Sequence, residues 1–217
     1  MKRLGIFAFE IIVLLLLSPP ASAQTSPLAV KYDAVKDWSS VSNPNGVWSY
    51  GYLASRGALF ALDTAEGGNV PGTSAWWPST VGTGPVVAHN DTDKTICGTT
   101  FCVPPNYLGL HPGPDGELSV LRWTTPFGGN FLLQVSFQGL DFAFPTSTNV
   151  YVVRDSTRVF LKAPITSYAI PLLFEPTALQ LSKGETLDFM VDWGNDASYI
   201  GDSTGVEVKI YHYPPTR

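Results

Sequence analysis

The chain predicts an all-β domain: an antiparallel two-sheet sandwich of jelly-roll type. Three observations predict it. Extended segments whose side chains alternate apolar and polar recur along the chain at roughly 8–12-residue spacing. Glycine and proline together supply 38 turn formers, while charged residues are only 14% of the chain. That balance suits many short strands joined by tight turns. Beyond Ala23, no stretch of ten or more residues carries a helical 3.6-residue period.

Residues 1–23 read as a leader and not as part of the fold. Lys2 and Arg3 form a basic start, and Gly5 to Leu17 is apolar apart from Glu10. Ala21-Ser22-Ala23 is an A-x-A cleavage site ahead of Gln24. The unbroken apolar stretch, Ile11 to Leu17, is too short to span a bilayer. Residues 24–217 then form a single domain with room for a substantial core and no membrane span. This domain carries eleven basic and seventeen acidic residues, a net charge of −6, and holds no basic run. Nucleic acid and anionic lipid are therefore poor partners.

Taken in order, Val30 to Trp38 is a candidate first strand, followed by a turn-rich loop through Asn43-Pro44-Asn45-Gly46. Val47–Leu53 and Gly57–Leu62 read as strands. From Asp63 to Tyr107 glycines and prolines recur every few residues, which predicts long loops, with Trp76 and Trp77 on one of them. Short strands are expected there only at Pro85–His89 and Lys94–Ile96. Cys97 and Cys102 are the only cysteines, and in an exported chain they predict one disulfide, worth roughly 2 kcal/mol and local in effect.

Leu110 to Asp141 reads as two long strands in a hairpin, reversing through Thr124 to Asn130. On its second strand Phe131, Leu133, Val135 and Phe137 face the core. Asn149–Val153 and Arg158–Lys162 flank a second hairpin turn, and Pro171 marks Ser167–Phe174 as an edge or a bulge. Leu187, Phe189, Val191 and Trp193, then Val206, Val208 and Ile210, supply the last two core faces. That makes about ten to twelve strands.

Several strings also carry a resemblance. They are SNPNGVWSYG at Ser42–Gly51, LHPGP at Leu110–Pro114, Arg122-Trp123-Thr124 after Glu117, and Asp202-Ser203-Thr204-Gly205 before the final strand. In this order they resemble a group of exported bacterial β-sandwich proteins of the PEP-CTERM-associated kind, whose plan is similar to the jelly roll of carbohydrate-binding modules. The resemblance spans Tyr32 to Ile210 and implies a fold and a compartment, not a reaction. This chain ends Tyr213-Pro214-Pro215-Thr216-Arg217 without an apolar sorting tail, so a freely secreted or periplasmic product is expected.

For binding, Trp48, Tyr50, Tyr52, Trp76 and Trp77 are the candidate ligand-binding set. Sugar rings stack their C–H faces on indole and phenol rings, although alternate aromatics on a strand also fill cores. Trp76 and Trp77 are adjacent, so on a strand they would point to opposite faces. Asn195, Asp196 and Asp202 offer oxygen ligands for a structural calcium ion, with a solvated, turn-capping loop as the competing reading. No residue is assigned to catalysis. The chain lacks a G-x-S-x-G elbow and an H-E-x-x-H helix, and Asp115-Gly116-Glu117 reads as a turn. Arg122 is expected to pair with an acid such as Glu117 or Asp141, and His111 to orient its Pro corner through a hydrogen bond. Asn90-Asp91-Thr92 is a glycosylation sequon. The leading expectation is a non-catalytic exported domain that binds a polysaccharide, cell-surface glycan or another surface ligand. A structural envelope or matrix protein and a glycoside hydrolase are the alternatives.

Overall fold

The computed structural model describes residues 31–213; the leader predicted for residues 1–23 lies outside the described residues. In chain order the strands are β1 (Tyr32–Asp33), β2 (Trp48–Leu53), β3 (Phe60–Leu62), β4 (Ala65–Glu66), β5 (Thr73–Trp77) and β6 (Val86–Asn90). Next come β7 (Ile96–Cys97), β8 (Cys102–Val103), β9 (Leu108–His111), β10 (Leu118–Thr124) and β11 (Gly129–Gly139). The last five are β12 (Asn149–Arg154), β13 (Arg158–Pro164), β14 (Leu172–Leu181), β15 (Thr186–Asp192) and β16 (Thr204–Tyr213). Sheet A runs β14-β11-β16-β9-β6-β5-β4, with β1 added beside β16; sheet B runs β13-β12-β15-β10-β2-β3. All the strand pairs are antiparallel. From β9 onward the chain passes back and forth between the sheets, which is the winding of a jelly roll.

The predicted core faces are the observed ones except at Trp193, which lies just beyond β15, is half-buried and packs its ring beside Gly116 and not in the core. Phe131, Leu133, Val135 and Phe137 of sheet A meet Leu121, Trp123, Leu187, Phe189 and Val191 of sheet B in one buried cluster, together with Val206, Val208 and Ile210. Alternation sends every second side chain inward, and each buried aromatic removes a large apolar area from water. The second hairpin, β12–β13, forms as expected.

The first predicted hairpin does not form. β10 pairs with β2 and β15 in sheet B, whereas β11 pairs with β14 and β16 in sheet A. The two strands face each other across the core, where the Trp123 ring meets Phe131 edge-on at 5.3 Å. Alternation identifies a strand and its buried face; it carries no information on whether the next strand is a neighbour in the sheet or a partner across the sandwich. Three further elements differ. The first strand contracts to Tyr32–Asp33, because the Asp33 carboxylate accepts from the backbone of Val35 and Lys36 and turns the chain. Trp76 and Trp77 lie on strand β5 and not on a loop. The strand expected at Ser167–Phe174 begins at Leu172 and runs to Leu181, at the edge of sheet A as its proline implied.

The far side of sheet B carries a small second apolar cluster of Leu53, Leu118, Val120, Tyr151, Val153 and Met190, covered in part by Phe60. The Arg122 guanidinium lies 4.0 Å above the Phe60 ring and bonds Asp188 with Nε at 2.6 Å and Nη2 at 2.8 Å. Its acid is therefore Asp188, not Glu117 or Asp141, because β15 places Asp188 directly opposite Arg122 in the ladder.

Candidate functional site: a cleft on the outer face of sheet A

The cleft lies on the face of sheet A turned away from sheet B. Its floor is set by register. Ala75, Ala88, Gly109 and Gly205 are successive partners across β5, β6, β9 and β16, so one row of the sheet carries almost no side chain. In the next row Val86 partners His111, with Trp77 on the neighbouring strand.

One wall is the hairpin β7–β8, closed by the Cys97–Cys102 disulfide that the sequence predicts. This hairpin has little core of its own and is tied down by hydrogen bonds. Cys102 N–H donates to the Leu140 carbonyl at 2.9 Å, and Phe142 N–H to the Thr100 carbonyl at 2.8 Å. The Asn90 amide donates to the Val103 and Lys94 carbonyls, each at 2.7 Å. Asn69, Val70 and the Gly82–Gly84 turn supply further lining. Phe144 and the segment Tyr199–Gly201 close one end. These two segments are clamped together: the Asp202 carboxylate accepts from Ser147 N–H at 3.0 Å, and Thr148 Oγ1 donates to the Asp202 carbonyl at 3.3 Å.

The enclosed volume is about 510 Å³, within the size range of small-molecule sites, about 300–1,000 Å³. The lining is largely carbon, with Trp77, Val86, Phe101, Val103, Leu140 and Ile200 among its residues. Tyr199 is 40% exposed and Phe144 46%, and both stand at the mouth. Two ionisable side chains other than Tyr199 reach the cleft. His111 Nδ1 lies 2.8 Å from the Pro112 carbonyl, the corner-orienting bond that the sequence suggests. A carbonyl only accepts, so the neutral ring carries its proton on Nδ1 and keeps Nε2 as an acceptor. Burial pushes the His111 pKa down, against smaller opposing effects of the Pro112 carbonyl and Asp141. Asp141 is buried, and its oxygens accept from Ala143 N–H, Phe144 N–H and Thr100 Oγ1, each at 3.2 Å.

The aromatic residues named from the sequence do not make one surface. Trp48 and Tyr50 are buried between the sheets. Trp76 is 7% exposed and belongs to the same core, its indole N–H donating to the Ser39 carbonyl at 2.8 Å. Tyr52 is half-buried on β2. Trp77 alone reaches the cleft: adjacent positions on β5 point to opposite faces, so its ring leaves the core when that of Trp76 enters it. The oxygen-rich loop is used only in part by its own structure, because Asp202 Oδ2 is buried without a hydrogen-bond partner among the described residues. Asp202 is buried as the clamp just described, Asp196 accepts from Ser198 N–H at 3.1 Å, and Asn195 is exposed. Among the described residues no three His, Cys, Asp or Glu side chains gather as a metal site.

Two other features were not legible as sites, or change once folded. Ser74, Asp91 and His89 come together at the other end of β5 and β6, with Ser74 Oγ donating to Asp91 at 2.8 Å and His89 Nδ1 2.7 Å from the same Asp91 oxygen. This is the residue set of a serine hydrolase in the wrong order. A nucleophilic serine needs a histidine nitrogen to take its proton, whereas here serine and histidine share the acid. The sequon asparagine, Asn90, is 2% exposed with its amide engaged twice, so the folded chain offers no acceptor for glycosylation. Phe101, Asp141, Tyr199 and Ile200 carry no local signal, because only the topology brings their three segments to one face.

No protein-family model matches the chain, and no curated protein matches it. Among solved structures it is similar to a family 35 carbohydrate-binding module from Clostridium thermocellum, with a TM-score of 0.33 and 10% identity over 60% of this chain and 89% of that one. A family 35 module from Paenibacillus barcinonensis aligns with a TM-score of 0.33 and 12% identity, over 69% of this chain and all of its own length. An Arthrobacter globiformis T6 isomalto-dextranase, complexed with panose, aligns with a TM-score of 0.27 and 13% identity over 76% of this chain and 22% of that one. At such scores the strand layouts correspond only in part, and the chemistry of the site has to be read from its own residues.

Proposed function

We propose that this chain is a non-catalytic exported module that binds a glycan in the cleft on the outer face of sheet A. The observation that carries the reading is the cleft itself. It is preformed on a rigid sheet, floored in part by Trp77, and fringed by the exposed rings of Tyr199 and Phe144. Trp77 itself is only 5% exposed, so sugar C–H faces can lie on Tyr199 and Phe144 while hydroxyls bond His111 Nε2, Thr83 and Ser203. Binding without hydrolysis fits the lining, where Asp141 is the one carboxylate; glycoside hydrolysis uses two. Asp115 and Glu117 do not supply a pair, since the Glu117 carboxylate accepts from Asp115 N–H at 3.0 Å and closes their turn.

Export rests on the leader-like residues 1–23 and on the disulfide, which suits an oxidising compartment outside the cytoplasm. Among the described residues no helix is long and apolar enough to cross a membrane. Chain recovered from the periplasm or medium should begin at Gln24.

Isothermal titration against soluble polysaccharides and oligosaccharides tests the binding. Tyr199→Ala and Phe144→Ala change exposed side chains, and each should weaken the affinity roughly fivefold. An affinity unchanged in the double variant would remove the cleft from the argument.

A further inference from the structure

The lining says more about the ligand than its class. This step rests on the glycan reading above and narrows it. No lysine or arginine lines the cleft, and the one carboxylate, Asp141, is buried with its oxygens taken up by Thr100, Ala143 and Phe144. A carboxylate, sulfate or phosphate entering here would lose its hydration with no cation to meet it.

The floor is graded as well. Along the row of Trp77, Val86 and His111, polar partners are within reach in His111, Thr83 and Ser203. One row away, at Ala88 and Gly109, the side chains all but vanish and the surroundings are carbon. A Cβ built on Gly109 would meet Leu140 Cδ1 at 3.6 Å, Val103 Cγ2 at 3.7 Å and Ala88 Cβ at 3.9 Å, and no polar atom is among them. The sheet backbone beneath is engaged in its own ladder. Glycine therefore lowers the floor at a spot that a hydroxyl could enter only by giving up its hydrogen bonds, whereas a methyl group would enter at a gain.

We infer that the cleft is specific for an uncharged saccharide bearing a small methyl-terminated substituent, an O-acetyl, acetamido or methyl group. The substituent sits over Ala88 and Gly109 while the sugar hydroxyls lie along the His111 row.

Matched probes test this by titration: chito-oligosaccharides against cello-oligosaccharides, which differ in the acetamido group, and acetylated xylo-oligosaccharides against the same material after alkaline deacetylation. Polygalacturonate serves as the acidic comparison. The methyl-bearing member of at least one pair should bind at least about fivefold tighter. Gly109→Ala should abolish that preference, because its methyl raises the floor while making only ordinary contacts in the fold. Ala88→Val repeats the test with a residue suited to a strand. Equal affinity within both pairs, with binding still weakened in Tyr199→Ala, would overturn the substituent and leave the glycan reading standing. Polygalacturonate binding as tightly as the neutral probes would overturn the uncharged requirement. Binding by none of these sugars would overturn the glycan reading and this inference together.

Discussion

Asn90 shows how much one side chain settles. It ends β6, its amide reaches the carbonyls of Lys94 and Val103, and its own oxygen accepts from Thr92 N–H at 2.9 Å and Thr92 Oγ1 at 2.8 Å. Every polar atom of the side chain is used, and the group is buried. Asn90→Ala would leave two carbonyls and a turn without partners, at a cost of about 2 kcal/mol. The loss should also loosen the wall that carries Thr100 and Phe101. Urea unfolding should show the drop in stability, and amide exchange at Cys102 and Val103 should accelerate beyond it. Uniform acceleration across both sheets would show that Asn90 serves the whole fold and not this wall. The sequence marked Asn90 only as a sequon, because the partner that ties it to the wall, the Val103 carbonyl, lies 13 residues away in the chain. Core faces were far easier to read at this scale: where apolar and polar residues alternate, as from Leu133 to Phe137, the buried side is plain in the pattern itself.

At the scale of elements, alternation and turn chemistry locate strands well and place them in sheets poorly. β11, β15 and β16 sit where their patterns put them, yet β10 and β11 are parted by the whole thickness of the core. Nothing local distinguishes a hairpin from a crossing between sheets when both strands bury one face. Proline was more informative. β14 is an edge strand with Pro171 just before it and Pro176 inside it, at the point where its register with β11 shifts. Ile170 and Leu173 are exposed beside this edge. A regular edge carrying such side chains would invite a second strand, and each proline removes one N–H and disturbs the line. Pro176→Val is therefore expected to cause concentration-dependent self-association, seen by light scattering, without losing the sandwich. A variant that stays monomeric at high concentration would show that the edge needs no such guard. It would also weaken the alternative of a matrix protein packing against its own kind.

For the molecule as a whole, the sandwich was legible in the sequence and the place of the cleft was not. Low charge, abundant turns and loop-rich stretches pointed to a sandwich with function on its connections, but the cleft is assembled from β5, β6, β9, the disulfide hairpin and two late loops. The same assembly buries ionisable groups on both sides of neutrality, which sets the response of the fold to pH. Asp63, where the chain leaves β3 for sheet A, is buried with neither carboxylate oxygen bonded within the described residues, and burial pushes its pKa from 3.8 up to about 8. Between those values the unfolded chain has lost the proton and the folded chain holds it, so stability falls as pH rises. Burial moves Asp202 in the same direction. His111 acts oppositely. Its pKa is lowered in the fold, so below 6.5 the unfolded chain takes up a proton that the folded chain refuses, and stability falls as pH falls. Below pH 6.5 the His111 slope opposes that of the two aspartates, and above it Asp63, with Asp202 pulling the same way, is unopposed by His111 up to about 8. Unfolding free energy should therefore drop by on the order of 1–2 kcal/mol between pH 6.5 and 8. Asp63→Asn, which cannot ionise, should flatten that fall and raise stability at pH 8. A wild-type curve level across this interval would mean that Asp63 is already ionised in the fold, its charge met by water.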